Sequence, residues 1–158
     1  MKRFVTNLLS LTLGAVFLQA QDASQQLRLG MIGLDTSHVI AFTRILNDAS
    51  MPNHVPGGKV IAAYKGGSDD VESSYTRVDG FTEQLRNEFG VEILDSIESL
   101  CEKVDAVLLE SVDGRPHLEQ AQIVIKAGKP LFIDKPMAGS LRDVIQIFKL
   151  AHENNVPC

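Results

Sequence analysis

The sequence predicts an α/β protein built on a doubly wound parallel sheet of five evident strands. Three observations predict it. From Leu27 onward, strand-like and helix-like segments alternate, the order that builds parallel β-α-β units. The strand segments are near-continuous apolar runs, as strands covered on both faces require. The first of them, "LRLGMIG", leads through Gly33 into a polar turn and a helix, the kind of junction at which phosphates meet a helix N-terminus.

Each element has its own warrant. The helix "TSHVIAFTRILN" places Val39, Phe42 and Leu46 on one face, with Thr36 or Ser37 as its cap. "KVIAAY" is a short apolar run bounded by Gly58 and Gly66, a second strand. Residues 65–77 are polar and glycine-containing and read as a mobile loop. "GFTEQLRNEFG" carries Phe81, Leu85 and Phe89 at spacing four and ends at Gly90, so it is a helix with a glycine stop. "VEIL" is a short third strand. "DSIESLCEK" opens with Asp95 and has Glu98 three residues on, a capping-box pattern. "DAVLLE" is a buried strand, and "RPHLEQAQIVIKAG" a helix with Pro116 in its first turn and Gly128 past its end. "KPLFI" is the fifth strand. "SLRDVIQIFKLAHENN" is the last helix, capped by Ser140 with Asp143. The chain stops at "VPC", where a sixth strand would begin. The sheet is therefore expected to be truncated before its final strand, with an open edge and a tendency to self-associate.

The first twenty residues are of another kind. Lys2 and Arg3 precede an apolar run from Leu8 to Leu18 and then Ala20, the layout of a signal peptide. The run is shorter than the ~20 residues a spanning helix needs, so cleavage near Ala20 and export are expected, with no stable membrane anchor. Residues 21–26 form a linker, and residues 27–158 are one domain. Removing residues 1–20 takes away two basic residues and no acid, leaving 13 basic against 20 acidic residues and a net charge of −7. That balance, with no Trp in the chain, excludes a nucleic-acid surface. Cys101, on an apolar helix face, and Cys158, the last residue, are expected to be free thiols.

In doubly wound sheets ligands bind outside the carboxyl ends of the strands, which directs attention to the loops near Gly33, Tyr64, Glu110 and Ile133. After the first strand, a dinucleotide turn has the form G-x-G-x-x-G. Here Gly33 holds the first place, Asp35 the second and His38 the third. Asp35 is expected to cap the following helix, occupying donors that a pyrophosphate would need; a ligand or metal role is the alternative. After the second strand stands Lys65, which has no oxygen to accept from a ribose hydroxyl but is suited to a 2′-phosphate; a solvated loop lysine is the plainer reading. The loop after the fourth strand carries Glu110, Asp113, Arg115 and His117. His117, at a helix start, suits a neutral acceptor or is a plain exposed histidine. After the fifth strand come Asp134, Lys135 and Pro136. A lysine at the carboxyl edge of a central strand points to an anionic or hydrogen-bonding ligand. A rival reading has Asp35, His38, Asp113, His117 and Asp134 hold a cation or a sugar in a non-catalytic extracytoplasmic module.

"LRLGMIGLDTSH", "EFGVEILDSIESLCEKVDAVLLES", "PHLEQAQIVIKAGKPLFIDKP" and the closing helix resemble, in order, the N-terminal domain of the Gfo/Idh/MocA oxidoreductases over roughly residues 27 to 158. The most specific element is the E-K-P-type signature, here Asp134-Lys135-Pro136, in its place after "AGK". The resemblance implies a Rossmann domain that binds NAD or NADP and presents it to a sugar or polyol. It implies Lys135 and His117 as the catalytic pair, with Lys135 positioning nicotinamide and substrate. Gly33, Asp35, His38, Lys65, Glu110, Asp134 and Pro136 would line the cofactor. The family's second domain, which supplies acid–base residues, has no counterpart here, so the chain is expected to be inactive alone.

Overall fold

The computed structural model describes residues 26–158. The leader read over residues 1–20 and all but the last residue of the linker lie outside the described residues. Strands β1 (Leu27–Ile32), β2 (Gly58–Tyr64), β3 (Glu92–Leu94), β4 (Ala106–Leu109) and β5 (Leu131–Ile133) alternate with helices α1 (Ser37–Asn47), α2 (Glu72–Tyr75), α3 (Val78–Phe89), α4 (Ile97–Lys103), α5 (His117–Lys126) and α6 (Leu141–Glu153). The strands form one parallel sheet in the order β3-β2-β1-β4-β5. The order reverses direction between β1 and β4, and at such a switch point the loops part to leave a crevice.

Strand alternation divides the interior into two cores. On one face Ile32, Ala62, Val107, Leu109, Leu131 and Ile133 pack against α4, α5 and α6. On the other Met31, Val60 and Ala63 pack against Val39 and Ile40 of α1 and Val78 and Leu85 of α3. This two-sided burial is why the strands read as unbroken apolar runs. At the far edge, the backbone N–H of Leu131 donates to the Pro157 carbonyl at 2.9 Å, so the last residues run beside β5.

Local signals hold in most places and shift in three. Gly90 ends α3 in the left-handed conformation, φ 66°, and the Val91 N–H closes onto the Leu85 carbonyl. Ser140 caps α6 through Asp143, as its spacing predicts. The cap of α4 is Ser96, whose hydroxyl accepts from the Ser99 N–H at 3.1 Å, rather than Asp95 with Glu98. A serine one residue further on reaches the N3 amide, and Asp95 is left exposed. The segment read as a mobile loop contains the single turn α2, and α3 starts at Val78, two residues before the expected glycine. Burial of Ser74 and Val78 explains the order of that segment. Cys101 is buried, Cys158 is exposed, and both are free.

Candidate functional site

Register builds the site. Tyr64, Ile32, Leu109 and Ile133 lie side by side at the carboxyl ends of β2, β1, β4 and β5. Backbone bonds carry the alignment one residue further: Gly33 N–H to the Tyr64 carbonyl, Glu110 N–H to the Ile32 carbonyl, Asp134 N–H to the Leu109 carbonyl. Lys65, Gly33, Glu110 and Asp134 thus form a row across the sheet. Ile32, Leu109 and Ile133 face the α4–α5–α6 side. Successive strand residues point to opposite faces, so the residues of the row turn toward the α1 side.

Gly33 is required where it stands. Its φ is 84°, and a Cβ there would lie 2.1 Å from the Ser111 hydroxyl oxygen. Its Cα also lies 3.2 Å from where a Cβ on Gly66 would be, so the turn after β1 is pressed between the loops after β2 and β4.

Asp35 does not cap α1. Thr36 does, accepting from the His38 N–H at 3.3 Å. The Asp35 side chain is fully buried and turned the other way: one oxygen accepts from the Val112 N–H at 3.0 Å, the other from the Ser74 hydroxyl at 2.6 Å. The carboxylate therefore clamps the β1–α1 turn to α2 and to the loop after β4. Its two oxygens are committed to these donors rather than to the amides at the start of α1.

His117 also departs from expectation. It is 0% exposed, with Nδ1 3.2 Å from the Met137 carbonyl and Nε2 3.0 Å from the Ser111 carbonyl. Carbonyl oxygens only accept, so the ring nitrogen that carries the proton donates to one of them, and the ring is packed as a brace between the loops after β4 and β5. It touches no open space and belongs to the scaffold. The same two loops meet closely at Gly114, where a Cβ would lie 2.6 Å from the Ala138 backbone.

Asp113 is likewise structural. Ser68 donates to it at 2.8 Å, and Arg115 donates from its backbone and its Nε at 2.9 Å while also pairing with Asp70. The Arg115 side chain holds the Asp113 carboxyl far below the ordinary carboxylate range. Lys65 pairs with Asp79 at 2.6 Å.

The remaining candidates converge. His38 Nδ1 lies 2.5 Å from Asp134 Oδ2, with side chains 37% and 13% exposed. The His38 ring is tilted against Phe42 at 5.7 Å. Burial opposes ionisation of Asp134, but the Lys135 backbone N–H and the His38 ring outweigh it and keep the carboxyl below its usual range. Lys135 extends outward, 67% exposed, its Nζ 3.7 Å from Asp134 Oδ2. Pro136, also exposed, follows a cis peptide. Glu110 is 1% exposed, and neither of its carboxyl oxygens has a hydrogen-bond partner among the described residues. Burial, and secondarily the charge of Asp134, push its pKa up to about 8.

At the other end of the row a polar cavity of about 380 Å³ opens between Gly66 and Gly67 after β2, Ser96 and Ile97 at the start of α4, and Glu119 and Gln120 in α5. A volume of this size is within the range of small-ligand sites. The residues present fit a dinucleotide laid along the row. One end has a ligand-sized cavity beside glycines, and the other an unpartnered buried carboxyl able to accept from an amide or hydroxyl. Between them Asp35 is withdrawn into the scaffold. Ser74, Ser111 and the Val112 amide escape a sequence reading, because nothing local marks a serine in a polar loop as a partner for a carboxylate 39 residues away.

Comparison with known proteins agrees with this geometry. Residues 27–158 match the family model described as an oxidoreductase family with an NAD-binding Rossmann fold, Gfo/Idh/MocA. No curated protein matches the chain. Among solved structures, a dehydrogenase (MviM) from Clostridium difficile is 23% identical with a TM-score of 0.62, covering 84% of this chain and 38% of its own. Myo-inositol 2-dehydrogenase from Lactobacillus plantarum is 22% identical with a TM-score of 0.61, covering 82% of this chain and 34% of its own. An oxidoreductase from Agrobacterium radiobacter, solved with NAD+, L-tartaric acid and magnesium, is 16% identical with a TM-score of 0.63, covering 84% and 34%. The chain thus spans little more than a third of the length of these proteins. With a parallel five-stranded sheet, a glycine turn at its switch point and a family match over the whole described domain, the chain belongs to the Gfo/Idh/MocA oxidoreductases and is an NAD-binding Rossmann domain of that family.

Proposed function

We propose that this chain is the cofactor-binding part of an exported sugar or polyol oxidoreductase, and that it is inactive without residues from outside these 158. The observation that carries the reading is the row at the strand ends, with a ligand-sized cavity at the β2 end and the cluster of Glu110, Asp134 and Lys135 at the β5 end. Gly66 and Gly67 would hold the adenosine half. Glu110 and Lys135 would hold the nicotinamide half. When bound there, NAD would supply the hydride acceptor for oxidation of an alcohol carbon. Lys135, exposed and with its Nζ 3.7 Å from Asp134, would orient a substrate hydroxyl. Lys135 is 67% exposed among the described residues, so excluding water and fixing the substrate beside it would need further residues. The fold likeness to myo-inositol 2-dehydrogenase supports a polyol as substrate class.

Isothermal titration of the chain with NAD, NADH and NADP tests the reading. Saturable NAD or NADH binding is expected, with no turnover of inositols or hexoses by the chain alone. Glu119, exposed at the cavity rim, provides the control: Glu119→Trp should fill the cavity and abolish binding while the melting temperature stays constant. A parent that binds no dinucleotide at millimolar concentration, or a variant that binds as well as the parent, contradicts the proposal. Export is supported by Lys2, Arg3, the apolar run Leu8–Leu18 and Ala20. Mass spectrometry of protein from the native host should find a mature chain beginning near Gln21. An intact Met1 in a cytosolic fraction would contradict it.

A further inference from the structure

The cluster of His38, Glu110 and Asp134, whose Glu110 the proposed function sets at the nicotinamide end, also has the donors of a cation site when no dinucleotide is bound. Glu110 and Asp134 are neighbours across the β4–β5 pair and point the same way, because they follow the register partners Leu109 and Ile133. Adjacent strands are about 4.8 Å apart, so two carboxyl groups are set together by the pairing itself. The first turn of α1 then brings His38 over them. One ring nitrogen of His38 and one oxygen each of Glu110 and Asp134 lie within 4.8 Å of one another. Glu110 faces this point with both oxygens unpartnered.

Two plainer accounts fall short. Protonating Glu110 removes its charge, but its hydroxyl and carbonyl still lack partners in a site it cannot leave, and burying an unpaired polar group is unfavourable. Lys135 reaches only toward Asp134, at 3.7 Å, and leaves Glu110 without a hydrogen bond. A cation among the three groups satisfies Glu110 and balances both carboxylates.

We propose that His38, Glu110 and Asp134 form a binding site for one first-row divalent metal ion. One imidazole and two carboxylates are a donor set for Zn2+, Mn2+, Fe2+ or Co2+ rather than for an all-oxygen ion such as Ca2+. Ligand bonds of about 2.1 Å set neighbouring donors roughly 3 to 3.5 Å apart. A bound ion would draw these donors together from within 4.8 Å and open the 2.5 Å contact between His38 and Asp134. Three protein ligands leave coordination positions open, as in sites that bind a substrate or water. Lys135, 67% exposed, lies at the margin of this cluster with its Nζ 3.7 Å from Asp134. A small molecule with hydroxyl or carboxylate oxygens is the ligand class such an ion would take there.

The test uses the full chain, stripped with chelator and free of nucleotide, so that its outcome is separate from any cofactor binding. Residues 1–20 contain no His, Cys or acid, so they add no donors of these kinds. Titration with Co2+, followed by visible absorption and by dialysis, should show one ion per chain with a ligand-field spectrum of mixed nitrogen and oxygen donors. Glu110→Gln should weaken Co2+ and Mn2+ binding by more than about 100-fold, beyond the 10–100-fold that losing an outer partner costs. His38→Ala, at a position 37% exposed, should weaken it similarly in a variant whose circular dichroism and melting curve match the parent's. Asp69→Asn, at an exposed acid elsewhere, should leave it unchanged. No saturable binding up to millimolar Co2+ overturns the proposal. So does binding that survives His38→Ala with the same affinity and spectrum, since that ion sits on other groups.

Discussion

At the scale of single residues, the turn after β1 shows how a carboxylate in a nucleotide-binding junction is accommodated. Asp35 is buried, and its two oxygens take the Val112 amide and the Ser74 hydroxyl. A bond to a charged acceptor contributes about 1.5–3 kcal/mol, and a buried donor left alone costs a further 1–3 kcal/mol. Removing the Thr36 cap costs about 1 kcal/mol. Asp35→Ala is therefore expected to destabilise the chain by about 3 kcal/mol, against about 1 kcal/mol for Thr36→Ala, measured by urea unfolding. The reverse order would show that Asp35 works at the helix end after all.

At the scale of elements, the loop after β2, the turn α2 and the loop after β4 are fastened by charge rather than by apolar area. Arg115 bridges Asp113 and Asp70, and Ser68 donates to Asp113. Arg115 foremost holds the Asp113 carboxyl below its unfolded value, which is near 3.9. A depressed folded pKa means that the unfolded chain binds more protons in this window, so the stabilisation is present above about pH 4 and is lost as pH falls below it. Asp113→Asn should be less stable than the parent at pH 6. The gap should narrow steadily in urea midpoints taken from pH 4 down to 2.5. A gap that stays constant with pH would assign the effect to shape or hydrogen bonding rather than to charge.

At the scale of the whole molecule, one sheet separates two cores, and β1 contributes to both through Met31 and Ile32. Shared strands couple the faces, so unfolding should be a single cooperative event. Leu100→Ala in the core beneath α4 and Leu85→Ala in the core beneath α3 each remove a fully buried side chain and should each cost about 2–5 kcal/mol. Far-ultraviolet circular dichroism and tyrosine fluorescence should report the same midpoint in both variants. Separate transitions in either one would mean that the two faces open independently.

The sequence by itself determined the five strands, the helices other than α2, and the family, because their signals are local. Apolar runs mark the strands, Gly90 and Ser140 mark helix ends, and "AGKPLFIDKP" stands in one continuous stretch. It also placed Gly33, Glu110, Asp134 and Lys135 at strand ends, where a parallel sheet binds its ligands. What it left open was which of these residues meet. Asp35 with Ser74 and Val112, His117 between Ser111 and Met137, and Glu110 beside Asp134 beneath His38 are pairings between distant segments. They exist only once the order β1-β4-β5 and its register are formed. Strand order rests on long-range packing, and a one-residue change of register would turn each of these side chains to the opposite face. The tertiary structure alone therefore decided that Asp35 and His117 serve the scaffold while His38, Glu110 and Asp134 face a common point.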